Sequence, residues 1–437
     1  MTKKNVWAVL AVCAVTLASC ASVEHYKAID SSFSMGDYPQ ALRLVEAEKG
    51  KGYRDKDAVL YNLDAGLLAH YARDYELSSR HFGDAEKGIE AAFTKSVSQG
   101  AASYLVNDMT IEYAGEDYED LYLNVFNSLN YYHKGSLDGA LVEVRRIDNK
   151  LKYLTSKYGK EISNAQKAAL EKNEDVPYDA SAYSTKFSNS ALARYLGMLF
   201  YRADGLVDDA RIDRDQVKLA FASQKGVYPF PVPKSLDDEL SIPRGKARIN
   251  VIGFCGQGPV KKEEVTRIPL GGMNWIKLSL PVMTSRPSAV SRISVSVDGG
   301  DTFDLELLED LGAVAAETFK AKAGLIYFKT VIRSIAKTAT SAALEDQADK
   351  GGEGALFLSL LSLGTQIYAE ASEQADLRLG RFFPGKAYVG GITVAPGVYS
   401  YTVQYFNASG QLIDSARFEG VDVRPGRLNL SEAICVK

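Results

Sequence analysis

Apolar positions in the first half of the chain recur at helical spacing. Leu60, Leu63, Leu67 and Tyr71 fall at i, i+3, i+7 and i+11, one stripe of an amphipathic helix. The run Met35-Gly36-Asp37-Tyr38-Pro39-Gln40-Ala41-Leu42 returns in altered form at Ala72-Arg73-Asp74-Tyr75-Glu76-Leu77-Ser78-Ser79. Its two Asp lie 37 positions apart, close to the roughly 34-residue tetratricopeptide period. Gly66 and Ser78 are small positions where paired helices approach, and Tyr75, Phe82 and Ala85 fill the groove between them. A third unit, Leu121 to Leu151, turns at 131–135 and uses Ala140 as its small position. A fourth, Ala191 to Phe221, turns at Asp204-Gly205 and uses Ala210. The spacing widens along the chain, so the pattern predicts an irregular tetratricopeptide-like helical solenoid over 20–226.

The pattern then changes. Pro229, Pro231, Pro233 and Pro243 punctuate 227–245 and predict an extended Pro-rich linker. Beyond it, period-2 runs predict strands over 247–254, 275–282, 291–297, 302–308, 387–394, 399–406, 412–419 and 427–436. Asp298-Gly299-Gly300-Asp301 and Asn407-Ala408-Ser409-Gly410 read as turns. Tyr399, Tyr401, Val403 and Tyr405 share one strand face. The expected class is therefore α+β and multidomain, the helical domain being followed by a β-sandwich-like domain over 246–437.

A helical-hairpin insertion, 312–372, interrupts that domain. Its first arm carries Lys320, Lys322, Lys329, Arg333 and Lys337 among apolar residues. Its second, Ala355 to Ala369, is almost wholly apolar. Such a pair either rests on a membrane surface or is buried against its own sheet, and the buried arrangement is the expected one.

The N-terminus adds an address. Lys3 and Lys4 precede an apolar run from Val6 to Ser19, too short for the roughly 20 residues of a bilayer span but suited to a secretory signal. It ends in Leu17-Ala18-Ser19-Cys20, a lipobox pattern. Residues 1–19 are expected to be removed and Cys20 to carry acyl chains anchoring the protein to a membrane. Ala21 is not an Asp retention signal, which directs the expectation to the outer membrane, facing the periplasm.

Composition narrows the chemistry. The chain has 437 residues, 46% hydrophobic, with a formal net charge of −4, which argues against nucleic acid as a partner. With four His and four Cys, neither a metal site nor a cofactor is expected, and no catalytic residue is assigned. No Gly-x-Ser-x-Gly or His-Glu-x-x-His pattern occurs. Gly256-Gln257-Gly258 lacks the Lys-Ser/Thr of a phosphate loop. Asp208, Asp209, Asp213 and Asp215 lack a calcium loop's Gly turn and read as exposed helix. Cys255 and Cys435 lie in strand contexts and are either a disulfide or two buried thiols.

Candidate partner-binding residues are Tyr118, Tyr122, Tyr131, Arg145, Arg146, Arg378 and Arg381. The favoured reading of the Tyr residues is as wedges between helices, and that of the Glu143-Val144-Arg145-Arg146 segment as a solvated face. Arg378 and Arg381 could meet an anionic partner, but pairing with Asp376 and nearby carboxylates is the favoured reading.

With these residues in view, the chain resembles a family of uncharacterised bacterial lipoproteins with tetratricopeptide-like N-terminal domains. The resemblance rests on the Leu60-to-Glu86 hairpin, Glu119 to Arg146, Gly258-Pro259-Val260-Lys261-Lys262 and Asp376-Leu377-Arg378 to Pro384. It implies an envelope lipoprotein, sometimes associated with other lipoproteins serving cell-wall synthesis, and no established activity. The expected function is a non-enzymatic, protein-binding scaffold in cell-wall or outer-membrane biogenesis. A glycan- or lipid-binding module is the alternative, with a glycan hydrolase using paired carboxylates behind it.

Overall fold

Tight turns organise the helical half. Gly36, Gly135 and Gly205 take φ of 77°, 80° and 79°, and Arg73 takes 64° at the same place in its own hairpin. At three of these turns a cap follows at once: Asp37 accepts from Gln40 N, Asp74 from Leu77 N, and Ser136 Oγ from Gly139 N. The computed structural model describes residues 26–99, 104–154, 156–171, 180–269, 275–349 and 374–437. Residues 1–19, expected to be a signal segment, Cys20 and the second arm of the insertion lie outside the described residues.

Helix α1 (26–34) turns into α2 (Tyr38–Ala47), and α3 (Ala58–Tyr71) into α4 (Tyr75–Gln99). Helix α5 (Asp117–His133) turns into α6 (Leu137–Leu154), then comes α7 (Gly159–Leu170), and α8 (Ala191–Ala203) turns into α9 (Val207–Ser223). Neighbours stack in sequence through α2, α3, α4, α5, α6, α8 and α9. The small positions act as expected. A Cβ on Gly66 would stand 2.8 Å from the Phe82 ring, and Ser78 Oγ donates to Gly66 O at 2.7 Å. Phe82, Ala85, Ala140 and Ala210 are fully buried.

The second half is a single seven-stranded sheet and a two-stranded ribbon. Its strands are β1 (Ala247–Cys255), β2 (Val260–Pro269), β3 (Trp275–Thr284), β4 (Arg292–Val297), β5 (Thr302–Asp310), β6 (Lys386–Val394), β7 (Gly397–Phe406), β8 (Leu412–Val423) and β9 (Asn429–Cys435). The sheet order is β8-β7-β4-β5-β6-β1-β9, with β2 and β3 forming the ribbon. The sandwich expectation is thus corrected to one sheet that curls until its edges nearly meet. Lys437 Nζ, just after β9, donates to Ile413 O on β8 at 2.9 Å. Tyr401 Oη and Ser431 Oγ bond across the interior at 2.6 Å.

Strand β2 has no period-2 pattern in the sequence, because four consecutive charged residues, Lys261-Lys262-Glu263-Glu264, interrupt it. Three residues of the expected stripe, Tyr401, Val403 and Tyr405, are fully buried inside the curl, whereas Tyr399, beyond a register shift, is half-buried. Strand β1 is buried on both faces. Ile249, Val251 and Cys255 face the interior of the curled sheet, whereas Ile252 and Phe254 join the core of the helices.

That core is shared between the two halves. Phe126 of α5 packs 5.2 Å from Phe254 of β1 and 6.3 Å from Phe383, ring centroid to centroid. Residues 227–245 are a pinned strap and not an extended connector. Tyr228 Oη donates to Glu309 Oε2 at 2.6 Å. Buried Glu239 accepts from Arg248 Nε at 2.8 Å, from Asn250 Nδ2 at 2.7 Å and from Arg202. The carboxylate ladder expected to be exposed on α9 also needs correction, since Asp213 is buried and pairs with Arg194 at 2.9 Å.

Helix α10 (Leu311–Asp349) starts directly at the end of β5 and is the first arm of the insertion. It packs against β3, α7 and α5. Leu325, Phe328, Val331 and Ile332 are buried there, so this arm is core. Among the described residues no helix is long and apolar enough to cross a membrane.

Candidate functional site

One face of α10 carries Lys322, Leu325, Ile326, Lys329, Thr330 and Arg333, a stripe spaced at i, i+3, i+4, i+7, i+8 and i+11. This stripe lines a cavity of about 480 Å³, within the range of small-molecule sites. Its other walls come from the C-terminal half of α4, the segment 107–116, the β2–β3 ribbon and residues 374–378. Ile89, Phe93 and Tyr158 add apolar surface to that of Leu325 and Ile326. Among the described lining residues, Lys and Arg outnumber Asp and Glu.

Most of these cations are matched. Lys261 and Lys322 both donate to Glu116 Oε1, and Lys322 also donates to Gly115 O at 3.0 Å. Although burial opposes its charge, those two ammoniums hold the Glu116 carboxyl below its ordinary range. Lys157 Nζ donates to Asp117 Oδ1 at 2.6 Å, and Lys56 Nζ to Met109 O at 2.6 Å. Arg333 donates to Val106 O at 3.2 Å and to Thr330 Oγ1 at 3.0 Å. Lys329 differs. Its nearest acidic atom, Asp108 Oδ1, is 4.0 Å away, although its side chain is only 8% exposed. Burial first, and then the charges of Lys322 and Arg333, push its ammonium below the usual lysine range against the pull of Asp108 and Glu161.

No known protein family, characterised protein or solved structure matches this chain.

The residues singled out in the sequence are largely committed internally. Tyr118 is a buried wedge, its ring 5.6 Å from Phe383. Tyr122 Oη donates to Glu309 Oε1 at 2.5 Å in the buried helix–sheet junction. Tyr131 packs over Gly139 and takes the Lys134 ammonium 4.3 Å above its ring. Arg145 is exposed and lies 5.9 Å from the Tyr201 ring, and Arg146 is bonded to Glu86 at 2.7 Å. Arg381 pairs with Asp30 and stacks 4.1 Å over Tyr26. Of the seven named residues only Arg378 lines the cavity, and it is held by Asp57 and Asp376.

Cys255 and Cys435 stand in register on the parallel pair β1–β9 as two free, buried thiols. Among the described residues no group of His, Cys, Asp and Glu could hold a metal ion. The cavity itself was missed in the sequence. Lys322, Lys329 and Arg333 stand among the cations of the first arm, and their spacing places them on one face. Nothing local marked α4 and the 107–116 segment as the opposite wall.

Proposed function

We propose that this chain is a lipid-anchored envelope protein that binds a small ligand in the α10 cavity. The observation that carries the reading is the cavity itself, open among elements from both halves and lined by side chains that the fold does not fully pair. The Tyr and Arg residues expected to recognise a protein are largely spent on internal contacts, which favours the ligand-binding alternative over a scaffold. On this reading Cys20 supplies the anchor, at the outer membrane and facing the periplasm. The helical hairpins are read as an irregular tetratricopeptide-like stack whose main duty is to wall the cavity. The resemblance to envelope lipoproteins supports the same location.

A scaffold role retains one specific support. Ile212 and Leu219 are 58% and 51% exposed, seven residues apart on the α9 face opposite buried Ala210, Val217 and Ala220.

The test is extraction of small molecules from the purified full chain. Wild type is expected to release one compound in stoichiometric amount. An Ile326→Trp variant, which fills the cavity, is expected to release none while melting at the same temperature. Equal yields from both proteins would overturn the reading.

A further inference from the structure

The geometry points to an amphiphile with one terminal oxyanion, a carboxylate or phosphate monoester, as the class of ligand that the α10 cavity takes. This inference rests on the ligand-binding reading above. The decisive group is Lys329. An ammonium carries three donors, and burying one without acceptors is unfavourable. Each of its lysine neighbours in the wall has an acceptor within hydrogen-bond reach, Lys322 at Gly115 O and Glu116, Lys261 at Glu116 and Arg378 O, Lys157 at Asp117. Lys329 has only Asp108 at 4.0 Å, beyond hydrogen-bond distance.

The groups around it do not remove that deficit. Asp108 and Glu161 attract it, while Lys322 and Arg333 repel it. Glu116, the nearest carboxylate to Lys322, is already shared by two lysines. An oxyanion entering the cavity supplies acceptors to Lys329 and relieves its repulsion with both cationic neighbours. Neutral polar ligands accept hydrogen bonds without cancelling that charge.

The remaining lining sets the other half of the ligand. Leu325 and Ile326 occupy the same helical face as Lys329, and Phe93, Ile89 and Tyr158 lie in the facing walls. A ligand that is all charge would leave these apolar surfaces wet. An aliphatic body beside the oxyanion dries them, and a volume of about 480 Å³ accommodates both parts.

The experiment is calorimetric titration of the full chain carrying Cys20→Ser, which keeps every described residue, with dodecanoate, dodecyl phosphate, 1-dodecanol and inorganic phosphate. At least one of the two acidic amphiphiles is expected to bind about tenfold or more tightly than 1-dodecanol, the scale of one charge-assisted contact. Which acid binds more tightly identifies the headgroup. Inorganic phosphate is expected to bind far more weakly than dodecyl phosphate. Lys329→Met keeps the side-chain length and removes the charge. It is expected to abolish the preference for acid over alcohol while leaving the melting temperature unchanged or higher, since no good ion pair is lost.

A Lys329→Met protein that keeps its preference overturns the inference, as does wild type binding alcohol and acid alike. Inorganic phosphate binding as tightly as the phosphate amphiphile overturns the apolar half. If Ile326→Trp blocks binding while Lys329→Met changes nothing, the oxyanion assignment fails and the cavity reading survives. If both variants bind as wild type does, both fail.

Discussion

Arg378 Nη1 lies 3.0 Å from Asp57 Oδ1, tying the segment after the insertion to the turn that leads into α3. The same guanidinium bonds both oxygens of Asp376 and donates to Ile111 O and Asp108 O. Arg378→Ala leaves two partly buried carboxylates without their cation. It is expected to lower unfolding free energy by about 3 kcal/mol, read from urea denaturation. Arg378→Lys should recover only part, because an ammonium cannot reproduce the fork.

Arg73 occupies the left-handed position that glycine fills in the three other hairpins. A side chain there costs about 1 kcal/mol, although glycine returns part of that through unfolded-chain entropy. Arg73→Gly is therefore expected to raise the melting temperature by about one degree or less, as measured by calorimetry. The same substitution at Arg80, inside α4, should lower it.

Among the buried carboxyls shifted upward, Asp64 and Glu119 move furthest. Burial pushes both Asp64 and Glu119 up to about 7, against the hydrogen bonds each accepts. Both titrate near 4 in an unfolded chain, so between those values the folded state binds more protons. Stability should fall as pH rises from about 4 to 7 and then level off. The urea midpoint is expected to be higher at pH 5.5 than at 8, and Asp64→Asn with Glu119→Gln should reduce the difference, the remainder coming from carboxyls such as Asp213. Below that range Glu432 reverses the trend. Burial opposes its charge, but His70 and His133 hold it at about 2. Its stabilising contribution is present above about 4.5 and is lost as the pH falls toward 2.

Burial pushes the Cys255 thiol up to about 12 and the Cys435 thiol up to about 11. Neither is a thiolate at neutral pH. Iodoacetamide is expected to leave both unmodified in the folded protein and to alkylate both in urea without reductant, as counted by mass spectrometry. A requirement for reductant would show that the in-register pair is bonded.

The proposed anchor has its own test. Cys20→Ser is expected to move the protein from the membrane pellet to the soluble fraction and to abolish palmitate labelling.

What the sequence disclosed depended on distance along the chain. The Gly66–Phe82 approach, the turns and the Tyr401–Tyr405 stripe are short-range patterns with a period, and all three appear as read. Closure of the sheet, the strap at 227–245 and the cavity depend on residues far apart in the chain. No local period could announce that Glu239 meets Arg202 and Arg248, or that Lys329 faces the end of α4. The favoured pairing of Arg378 with Asp376 was legible because the two are neighbours, whereas its bond to Asp57 was not.

Strand β1 sits between β6 and β9, both made much later in the chain. Phe126 packs on Phe254, and Tyr132 Oη donates to Leu428 O and accepts from Leu430 N. A chain emerging from its N-terminal end would therefore present the inner faces of α5 and β1 to water until β9 has arrived. Late closure of this kind is slow and exposes aggregation-prone surface. The protein should depend on a holding chaperone until β9 is made, and a chain that stops short of β9 should be degraded instead of accumulating half-built.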